Sequence, residues 1–348
     1  MHAALITGVA GQDGSYLSEL LLSKGYIVYG MARYCSEKKH ERIEHLKSNP
    51  YFHMIEGDLT DTARLMAIVN SFEQFEHLEI YNLGAQSHVK VSFDQPEYTA
   101  NVDALGTLRI LEAIRNSGFS NKIKFYQAGT SEMFGSSSPP QNEKTAFWPR
   151  SPYGVAKVFA YWITRNYRES YGLHASTGIL FNHESERRGE DFVTRKVTLG
   201  LADYVKAVAD GTAPPVLELG NIEARRDWGH AQDYVKAMWL MLQQEKPEDL
   251  VIGTGHTHTI REFIHDASKA VGLRLIWRGT GKDEEAIDPV NGNIVIRISP
   301  EFYRPAEVDY LQADPSRAKE VLGWAPEIEF AELATRMMAS DLKDKMAK

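Results

Sequence analysis

Two short polar segments together carry the groups of a proton-transfer site. The first is Thr130-Ser131-Glu132, which directly follows an apolar run typical of a strand. The second holds Tyr153 and Lys157, whose spacing of four would place both side chains on one face of a helix. An ammonium beside a phenol favours the phenolate and lowers the phenol pKa, which predicts a general base usable near neutral pH. Clusters of this kind also cap turns, so their meaning depends on the elements around them.

The elements that must position these groups alternate regularly in the first half of the chain. Short apolar runs typical of strands are separated by helical patterns, and Gly25 and Gly118 stand where helices end. This alternation predicts a Rossmann-type, doubly wound parallel sheet with helices on both sides, in the α/β class. The candidate strands are 3–7, 27–31, 51–56, 79–82, 123–128 and 176–181.

After about residue 182 the alternation loosens, and segments rich in Arg, Asp, Glu and Gly separate helical patterns at 231–244 and 260–271. Residues 280–293 read as an exposed loop whose "NGN" indicates a hairpin. We therefore expect a smaller, mixed α/β substrate-binding lobe. The predicted division is 1–182 with 222–255 for the dinucleotide-binding domain, and 183–221 with 256–348 for the lobe.

The bulk composition excludes several classes of protein. With 348 residues and a net charge of −8, the chain does not suit a protein whose main work is binding nucleic-acid phosphates. No apolar run is long enough to span a membrane. The single cysteine, Cys35, allows no internal disulfide and fits a reducing compartment. We expect a cytoplasmic globular protein without a metal site.

The first turn predicts a dinucleotide site. Gly8, Gly11 and Gly14 follow a strand and open a helix, so the backbone can approach a pyrophosphate and the helix N-terminus can face its charge. Enzymes that prefer NAD carry an acid at the end of the second strand, but here that strand ends in Arg33, which suits the 2′-phosphate of NADP. Further cofactor contacts are expected where the third and fourth strands end, at Asp58, Leu59, Leu83 and Ala85.

These features together resemble the GDP-mannose 4,6-dehydratase family of the extended short-chain dehydrogenases/reductases. The resemblance covers nearly the whole chain and is most specific after residue 182. It is carried by "ALITGVAGQDGSYL", "IYNLGAQSHVKVSFDQPEYTA", "FYQAGTSEMFG", "PRSPYGVAK", "GILFNHESERRGEDFVTRK", "LGNIEARRDWGHAQDYVKAMWLMLQ" and "YRPAEVD".

The resemblance implies a three-step reaction on a GDP-linked sugar. Tyr153 would take the O4 proton while the C4 hydride passes to NADP, and Lys157 would hold the nicotinamide ribose. Glu132 would then remove the C5 proton, and water would leave from C6 with the help of Glu132 and Thr130. Return of the hydride to C6 gives a 4-keto-6-deoxy sugar nucleotide.

The same resemblance implies the binding residues. The cofactor would contact Gly8, Gly11, Gln12, Asp13, Gly14, Arg33, Asp58, Leu59, Leu83, Ala85, Ser87, Tyr153, Lys157, His183 and Arg188. The substrate would contact Ser87, Ser131, Glu132, Asn182, Val193, Lys196, Arg226, Arg304 and Glu307. A homodimer or homotetramer is also implied.

The chain departs from the family pattern at three places, which leave alternatives open. Tyr34 stands where a second arginine is usual, so NAD remains an alternative unless Lys38, Lys39 or Arg42 replaces that charge. Glu186 stands for a usual proline, and Gly129 for a usual serine beside the sugar. The smaller Gly129 could widen the pocket for GDP-manno-heptose. A 4-epimerase or 4-reductase would keep the Tyr/Lys pair without needing Glu132, and a non-catalytic dinucleotide sensor is the remaining alternative.

Overall fold

A sheet of seven parallel strands forms the centre of the first domain in the computed structural model, which describes residues 2–34, 40–302 and 310–347. The strands of these ranges, in chain order, are β1 His2–Thr7, β2 Ile27–Ala32, β3 Phe52–Glu56, β4 His77–Asn82, β5 Ile123–Ala128, β6 His174–Leu180, β7 Asn182–Glu184, β8 Leu217–Leu219, β9 Arg225–Arg226, β10 Trp228–His230, β11 Leu250–Ile252, β12 His258–Thr259, β13 Ile276–Arg278, β14 Glu285–Ile287 and β15 Ile294–Ile298.

The α-helices of the same ranges are α1 Gln12–Ser23, α2 Thr62–Asn70, α3 Val89–Asp94, α4 Pro96–Thr99, α5 Gly106–Arg115, α6 Pro152–Tyr171, α7 Val193–Ala209, α8 Ala231–Gln243, α9 Ile260–Ala270, α10 Ser316–Leu322 and α11 Phe330–Met346. A π-helical turn, Ala100–Leu105, precedes α5. Short 3₁₀ turns lie at Glu41–Leu46, Ser120–Lys122, Ser131–Met133, Gly281–Asp283 and Pro300–Phe302.

The order of the central sheet creates the ligand-binding edge. Its strands run β11-β6-β5-β4-β1-β2-β3, so the direction of winding reverses between β1 and β4. Thr7 at the end of β1 lies opposite both Met31 and Asn82, and Asn82 lies opposite Gln127. The carboxyl ends of these strands therefore meet at one edge, where doubly wound sheets bind ligands.

Apolar helix faces cover both sides of this sheet. On one side, Leu17 of α1 and Met238 of α8 are fully buried in a single cluster. On the other side, Ile110 of α5 packs with Phe125 of β5. Each such side chain contributes about 1.5–3 kcal/mol when fully buried. The two layers pack both faces of the sheet and so support its carboxyl edge.

A second core belongs to the lobe. The sheet β13-β14-β15-β8 packs with α7, α9 and α11 around Val197, Phe263 and Met337, all buried. After its first pass through the lobe, the chain returns to the first domain. α8 covers the central sheet and β11 joins the edge of that sheet beside β6.

The sequence predicted the main fold correctly, and the structure confirms the α/β class with its parallel doubly wound sheet. All six predicted strands are present with shifts of one or two residues at their ends, and β11 was missed because it has three residues. Within the predicted loop 280–293, the hairpin between β14 and β15 is present, but Glu285–Ile287 is a strand and Ala286 is fully buried.

The packing of residues 311–324 differs from the predicted division of the chain, which assigned these residues to the lobe. Leu311 and Ala313 join a cluster with Met133 and Phe134 of the first domain. Trp324 lies in the cluster formed by α1 and α8. We therefore propose that 311–324 belongs to the first domain rather than to the lobe.

Candidate active site

The glycine-rich turn has the shape required for a dinucleotide. Gly8 has φ of 68°, and a Cβ on Gly14 would lie 2.5 Å from the Gly8 carbonyl oxygen, which only glycine avoids. Gly11 is the N-cap of α1 and supplies no side chain to the N–H groups of the first turn. Those groups are therefore available to a phosphate.

Behind this turn lies a charged pair. His183 Nε2 is 2.8 Å from Asp13 Oδ2, and His183 Nδ1 is 2.7 Å from the Phe181 carbonyl oxygen. Both acceptors are oxygens, so both ring nitrogens donate and the ring is an imidazolium. Burial opposes the charges, but the Asp13 carboxylate raises the pKa of His183 and the imidazolium lowers the pKa of Asp13. Gln12 Nε2 donates to the His183 carbonyl at 3.0 Å and completes the support of α1.

Arg188 acts on groups at both the glycine turn and the start of α6. Its Nε lies 3.0 Å from Glu184 Oε2, and its guanidinium stacks 3.7 Å from the Phe192 ring centroid. The positive charge of Arg188 favours the ionised forms of Asp13 and Tyr153, although burial is the larger effect on Tyr153 and raises its pKa. The predicted cofactor residues His183 and Arg188 are thus brought to the turn.

The segment after β4 passes against the glycine turn. The Gly84 N–H donates to Thr7 Oγ1 at 2.9 Å, and a Cβ on Gly8 would lie 2.8 Å from the Gly84 Cα. Leu83 and Ala85 flank this close approach and are half-buried, while Ser87 is exposed. The predicted nicotinamide segment therefore lies beside the predicted pyrophosphate turn.

The residues predicted for the adenosine end lie at the ends of β2 and β3. Arg33 is exposed and donates through Nη1 to the Tyr98 hydroxyl. Asp58 Oδ1 accepts from both the N–H and the hydroxyl of Thr60 at 2.9 Å. Leu59 is buried. The carboxylate of Asp58 thus also stabilises its own turn.

Arg42 lies against the glycine-rich turn. Its Nε donates to the Arg187 carbonyl at 2.8 Å, and its Nη1 lies 3.5 Å from the Ala10 carbonyl within the glycine turn. Burial, followed by the charge of Arg195, lowers the pKa of Arg42. This concentration of positive charge is suited to an anion.

The catalytic candidates come together where β5 ends and α6 begins. Thr130 caps the turn Ser131–Met133, accepting from the Glu132 N–H at 3.3 Å, and its side chain acts on Tyr153. A Cβ on Gly154 would lie 2.8 Å from the Glu132 carbonyl oxygen, so glycine allows α6 to approach the turn closely. Lys157 is buried and donates to the Ala128 carbonyl at 3.0 Å.

The prediction that Lys157 lowers the phenol pKa is wrong for this structure. Burial, followed by the negative charges of Asp103 and Glu132, raises the pKa of Tyr153 above its usual value. Burial lowers the pKa of Lys157, whose Nζ lies 5.7 Å from the Tyr153 ring centroid. The sequence pattern predicts that Tyr153 and Lys157 lie on one helix, but it does not predict how deeply they are buried. Burial is the largest cause of the pKa shift of each residue.

The predicted substrate residues lie in and beside the lobe. Asn182 begins β7 opposite Trp228, and Arg226 is two residues before that tryptophan. Val193 and Lys196 lie in the first turn of α7, where Lys196 Nζ donates to the Glu218 carbonyl at 2.7 Å. Ser131 is buried beneath Thr130. Arg304 and Glu307 lie outside the described residues.

A family model described as GDP-mannose 4,6 dehydratase matches residues 5–337. The chain belongs to this family. A GDP-mannose 4,6-dehydratase from Yersinia enterocolitica is 52% identical over 359 residues, covering 99% of this chain and 94% of that protein. The human GDP-mannose 4,6 dehydratase is 49% identical over 349 residues, covering 98% and 92%.

Solved structures share the fold of this family member at low identity. A dTDP-glucose 4,6-dehydratase from Streptomyces venezuelae, solved with NAD, has a TM-score of 0.80 at 20% identity and covers 99% of this chain and 98% of that one. A UDP-glucose 4-epimerase from Thermotoga maritima has a TM-score of 0.78 at 23% identity and covers 99% and 100%.

Gly129, where the family usually has serine, does not widen a sugar pocket. A Cβ there would lie 2.9 Å from the Gly178 carbonyl oxygen and 3.0 Å from Thr177 Cγ2, both in β6. The third neighbour is Met133 Cε at 3.2 Å. The missing side chain would point into packed protein, so the expected extra space for a heptose is absent at this position.

Glu186, where the resemblance led us to expect proline, belongs to a hydrogen-bond network behind α1. Its Oε2 accepts from the Tyr16 hydroxyl at 2.9 Å and from His230 Nε2 at 3.3 Å. His230 Nδ1 accepts from the Gln232 N–H, which leaves the proton on Nε2. Burial opposes its charge, but the His230 hydrogen bond contributes to lowering the pKa of Glu186 to about 2.

Two residues near the site were not predicted. Asp103 is buried in the π-helical turn, and its charge acts on both Tyr153 and Lys157. The signal that could have revealed it was an acid between the apolar residues Val102 and Ala104 at the start of the helical pattern 102–114. Lys90 of α3 acts on Lys196, but an exposed lysine in a polar segment carries no signal of its own.

Among residues 2–34, 40–302 and 310–347, no group of three or more His, Cys, Asp or Glu side chains could hold a metal ion. In the same ranges, no helix has the length and apolar character needed to cross a membrane.

Proposed function

We propose that the protein is a sugar-nucleotide 4,6-dehydratase that converts GDP-mannose to GDP-4-keto-6-deoxymannose and water. The supporting observation is the assembly of Thr130, Glu132, Tyr153 and Lys157 beside a dinucleotide-type turn. Relatives at about half identity across nearly the whole chain carry the same activity in their names.

The two halves of the reaction are assigned to two groups of side chains. The glycine turn from Gly8 to Gly14 would hold NADP, which when bound would supply hydride exchange with C4 and C6 of the sugar. Tyr153 would accept the O4 proton. Burial raises its pKa, and Thr130 and the positive charge of Arg188 oppose that rise. Glu132 would take the C5 proton, which the new C4 ketone makes acidic.

The proton balance requires Glu132 to act twice. Two protons leave the sugar, from O4 and from C5. One leaves with the C6 hydroxyl as water, and the other returns to C5 when C6 is reduced. Glu132 would supply the proton to the departing hydroxyl, with Thr130 positioned to hydrogen-bond the same oxygen.

We infer that NADP rather than NAD is the cofactor. Arg33 ends β2 where an NAD enzyme would carry an acid. Arg42 supplies a second guanidinium at the glycine turn, in the absence of an arginine at Tyr34. Two guanidiniums form a suitable site for a 2′-phosphate.

Arg42→Ala should raise the KM for NADP about tenfold, as expected for loss of one charged hydrogen bond, and leave the KM for NAD nearly unchanged. Steady-state kinetics with each cofactor measure this ratio. Arg336→Ala, which removes a surface charge from α11, is the control. Equal effects on both cofactors would contradict a 2′-phosphate contact.

We also propose a homodimer formed through the outward face of α6. Val155, Phe159 and Trp162 lie at successive turns and are exposed by 57%, 40% and 52%. Isolated large apolar side chains are normal on surfaces, whereas a contiguous apolar face indicates an interface. Tyr153 and Lys157 lie on the buried face of the same helix, so a second copy would brace the catalytic pair.

The activity is tested by incubating purified protein with GDP-mannose and NADP. The expected product is one water lighter and carries a 4-keto, 6-methyl sugar in its NMR spectrum, with no net reduction of cofactor. GDP-manno-heptose in a parallel reaction tests the substrate. A higher kcat/KM for the heptose would overturn the choice of sugar, and a C4 epimer as product would overturn the reaction.

A further inference from the structure

Asp103 is a buried carboxylate whose two oxygens differ in their hydrogen bonding. It lies in the π-helical turn Ala100–Leu105 and is 2% exposed. Its Oδ1 accepts from the Gln86 N–H at 2.8 Å. Its Oδ2 has no hydrogen-bond partner in the part of the chain that the structure describes. A buried carboxylate in this condition is costly unless a charge compensates it.

Lys157 is the positive charge that acts on Asp103 across the contact between the π-helical turn and α6. This lysine is 3% exposed and directs one of its three N–H donors to the Ala128 carbonyl. The π-helical turn packs directly against α6, which carries Lys157. Burial raises the pKa of Asp103 to about 6 and lowers the pKa of Lys157, and in both cases the charge of the other residue opposes the shift.

Asp103 also connects this pair to the segment proposed to hold the nicotinamide ribose. Gln86, which donates to Asp103, directly follows Ala85. The Gln86 side chain is fixed in turn by the Thr99 hydroxyl at 3.1 Å. A π-helical turn inserts an extra residue into a helix and often marks a functional site, and here it contains the acid.

We propose that Asp103 is the counter-ion of Lys157 and a positioning residue of the Tyr153–Lys157 pair. This role rests on the proposed function in so far as the pair performs the redox step. The structural part, an attraction between two buried charged groups that links the segment after β4 to α6, is independent of the reaction.

The effect on pH dependence follows from the charges that face the pair. Tyr153 is acted on by Asp103 and Glu132, which raise its pKa, and by Arg188, which lowers it. Asp103 raises the pKa of Lys157. Removing this one negative charge therefore lowers the pKa of both the phenol and the ammonium. Both limbs of the pH profile should move to lower pH.

Asp103→Asn is the first test, because the amide oxygen can still accept from the Gln86 N–H. We expect kcat/KM against pH to shift downward by about one unit on both limbs, the usual size for loss of one nearby charge. Asp94→Asn, an exposed acid of α3, is the control and should leave the profile in place. A uniformly lower profile with unmoved limbs would overturn the proposal.

A double-mutant cycle of stability tests the attraction between the two charges and needs no measurement of enzyme activity. Lys157→Met and Asp103→Asn are compared singly and together by denaturant midpoint. Each single variant leaves an uncompensated buried group, so the double variant should lose less than the sum of the single losses. Additive losses would overturn the pairing even if the dehydratase is confirmed, and coupling without dehydratase activity would overturn the assigned reaction alone.

Discussion

At the scale of single residues, Glu132 separates a dehydratase from an enzyme that only moves hydride. Glu132→Gln should lower dehydration by about 10²–10⁴-fold, the range for loss of a general acid–base group. Oxidation at C4 should persist, so stopped-flow absorbance should show cofactor that is reduced and not reoxidised.

Tyr153→Phe is the matched comparison for Glu132→Gln. Because it removes the base for the first step, no reduced cofactor should accumulate. A Glu132→Gln enzyme that dehydrates at the wild-type rate would contradict the role of this carboxylate.

Gly129 makes a prediction about stability rather than specificity. Gly129→Ser should lower the free energy of unfolding by about 1–3 kcal/mol, because its Cβ would press on the β6 backbone. The ratio of kcat/KM for GDP-mannose and GDP-manno-heptose should stay constant. A serine variant of unchanged stability with an altered ratio would show that position 129 faces the sugar after all.

At the scale of elements, the segment Glu184–Arg188 is held behind α1 by the contacts of Glu186. The pKa of Glu186 is lowered from 4.5 in the unfolded chain to about 2. Because the pKa of Glu186 is higher in the unfolded chain, protonation of this carboxylate at low pH favours unfolding. The stability from this carboxylate is therefore complete above pH 4.5 and is lost as pH falls toward 2.

Glu186→Gln should remove this pH dependence. At pH 7 the variant should be less stable by about 1 kcal/mol, a value discounted for the partial exposure of the side chain. Denaturant unfolding between about pH 2 and 7 measures the difference. Glu332→Gln, on the surface of α11, should follow wild type, and parallel curves for wild type and Glu186→Gln would refute the argument.

The elements also show where sequence reasoning succeeds. Strand–helix alternation predicted the strands well, because fully buried parallel strands are continuous apolar runs. The glycine turn and the helix that carries Tyr153 and Lys157 were predicted from local rules that tertiary packing does not override. The π-helical turn was missed, since its sequence is indistinguishable from an ordinary helix.

In the candidate site, the prediction that was wrong concerns the direction in which the pKa of Tyr153 shifts. The pattern Tyr153/Lys157 predicted which groups meet, but the sign of the phenol shift depends on burial and on Asp103, which is distant in sequence. The direction of the Gly129 Cβ likewise depends on β6, about fifty residues later. Such effects require the packed structure.

At the scale of the whole molecule, the exposed face of α6 predicts the oligomeric state. A Phe159→Glu/Trp162→Glu double variant should be monomeric in light scattering, where wild type should be at least dimeric, because two buried carboxylates would be unpaired. Val290→Glu alters an apolar side chain exposed by 91% in the lobe and is the control. A monomeric wild type would contradict the proposed interface.

The path of the chain between the two cores has a consequence for how such an enzyme changes its substrate. The chain enters the lobe after β7, returns for α8 and β11, leaves again for α9, and returns once more at 311–324. No contiguous stretch of the gene therefore encodes the lobe. Exchange of the lobe as a cassette would need several simultaneous junctions, each through a packed core. New sugar specificity in this scaffold should therefore arise by point substitution, and recombination should break the fold before it alters the pocket.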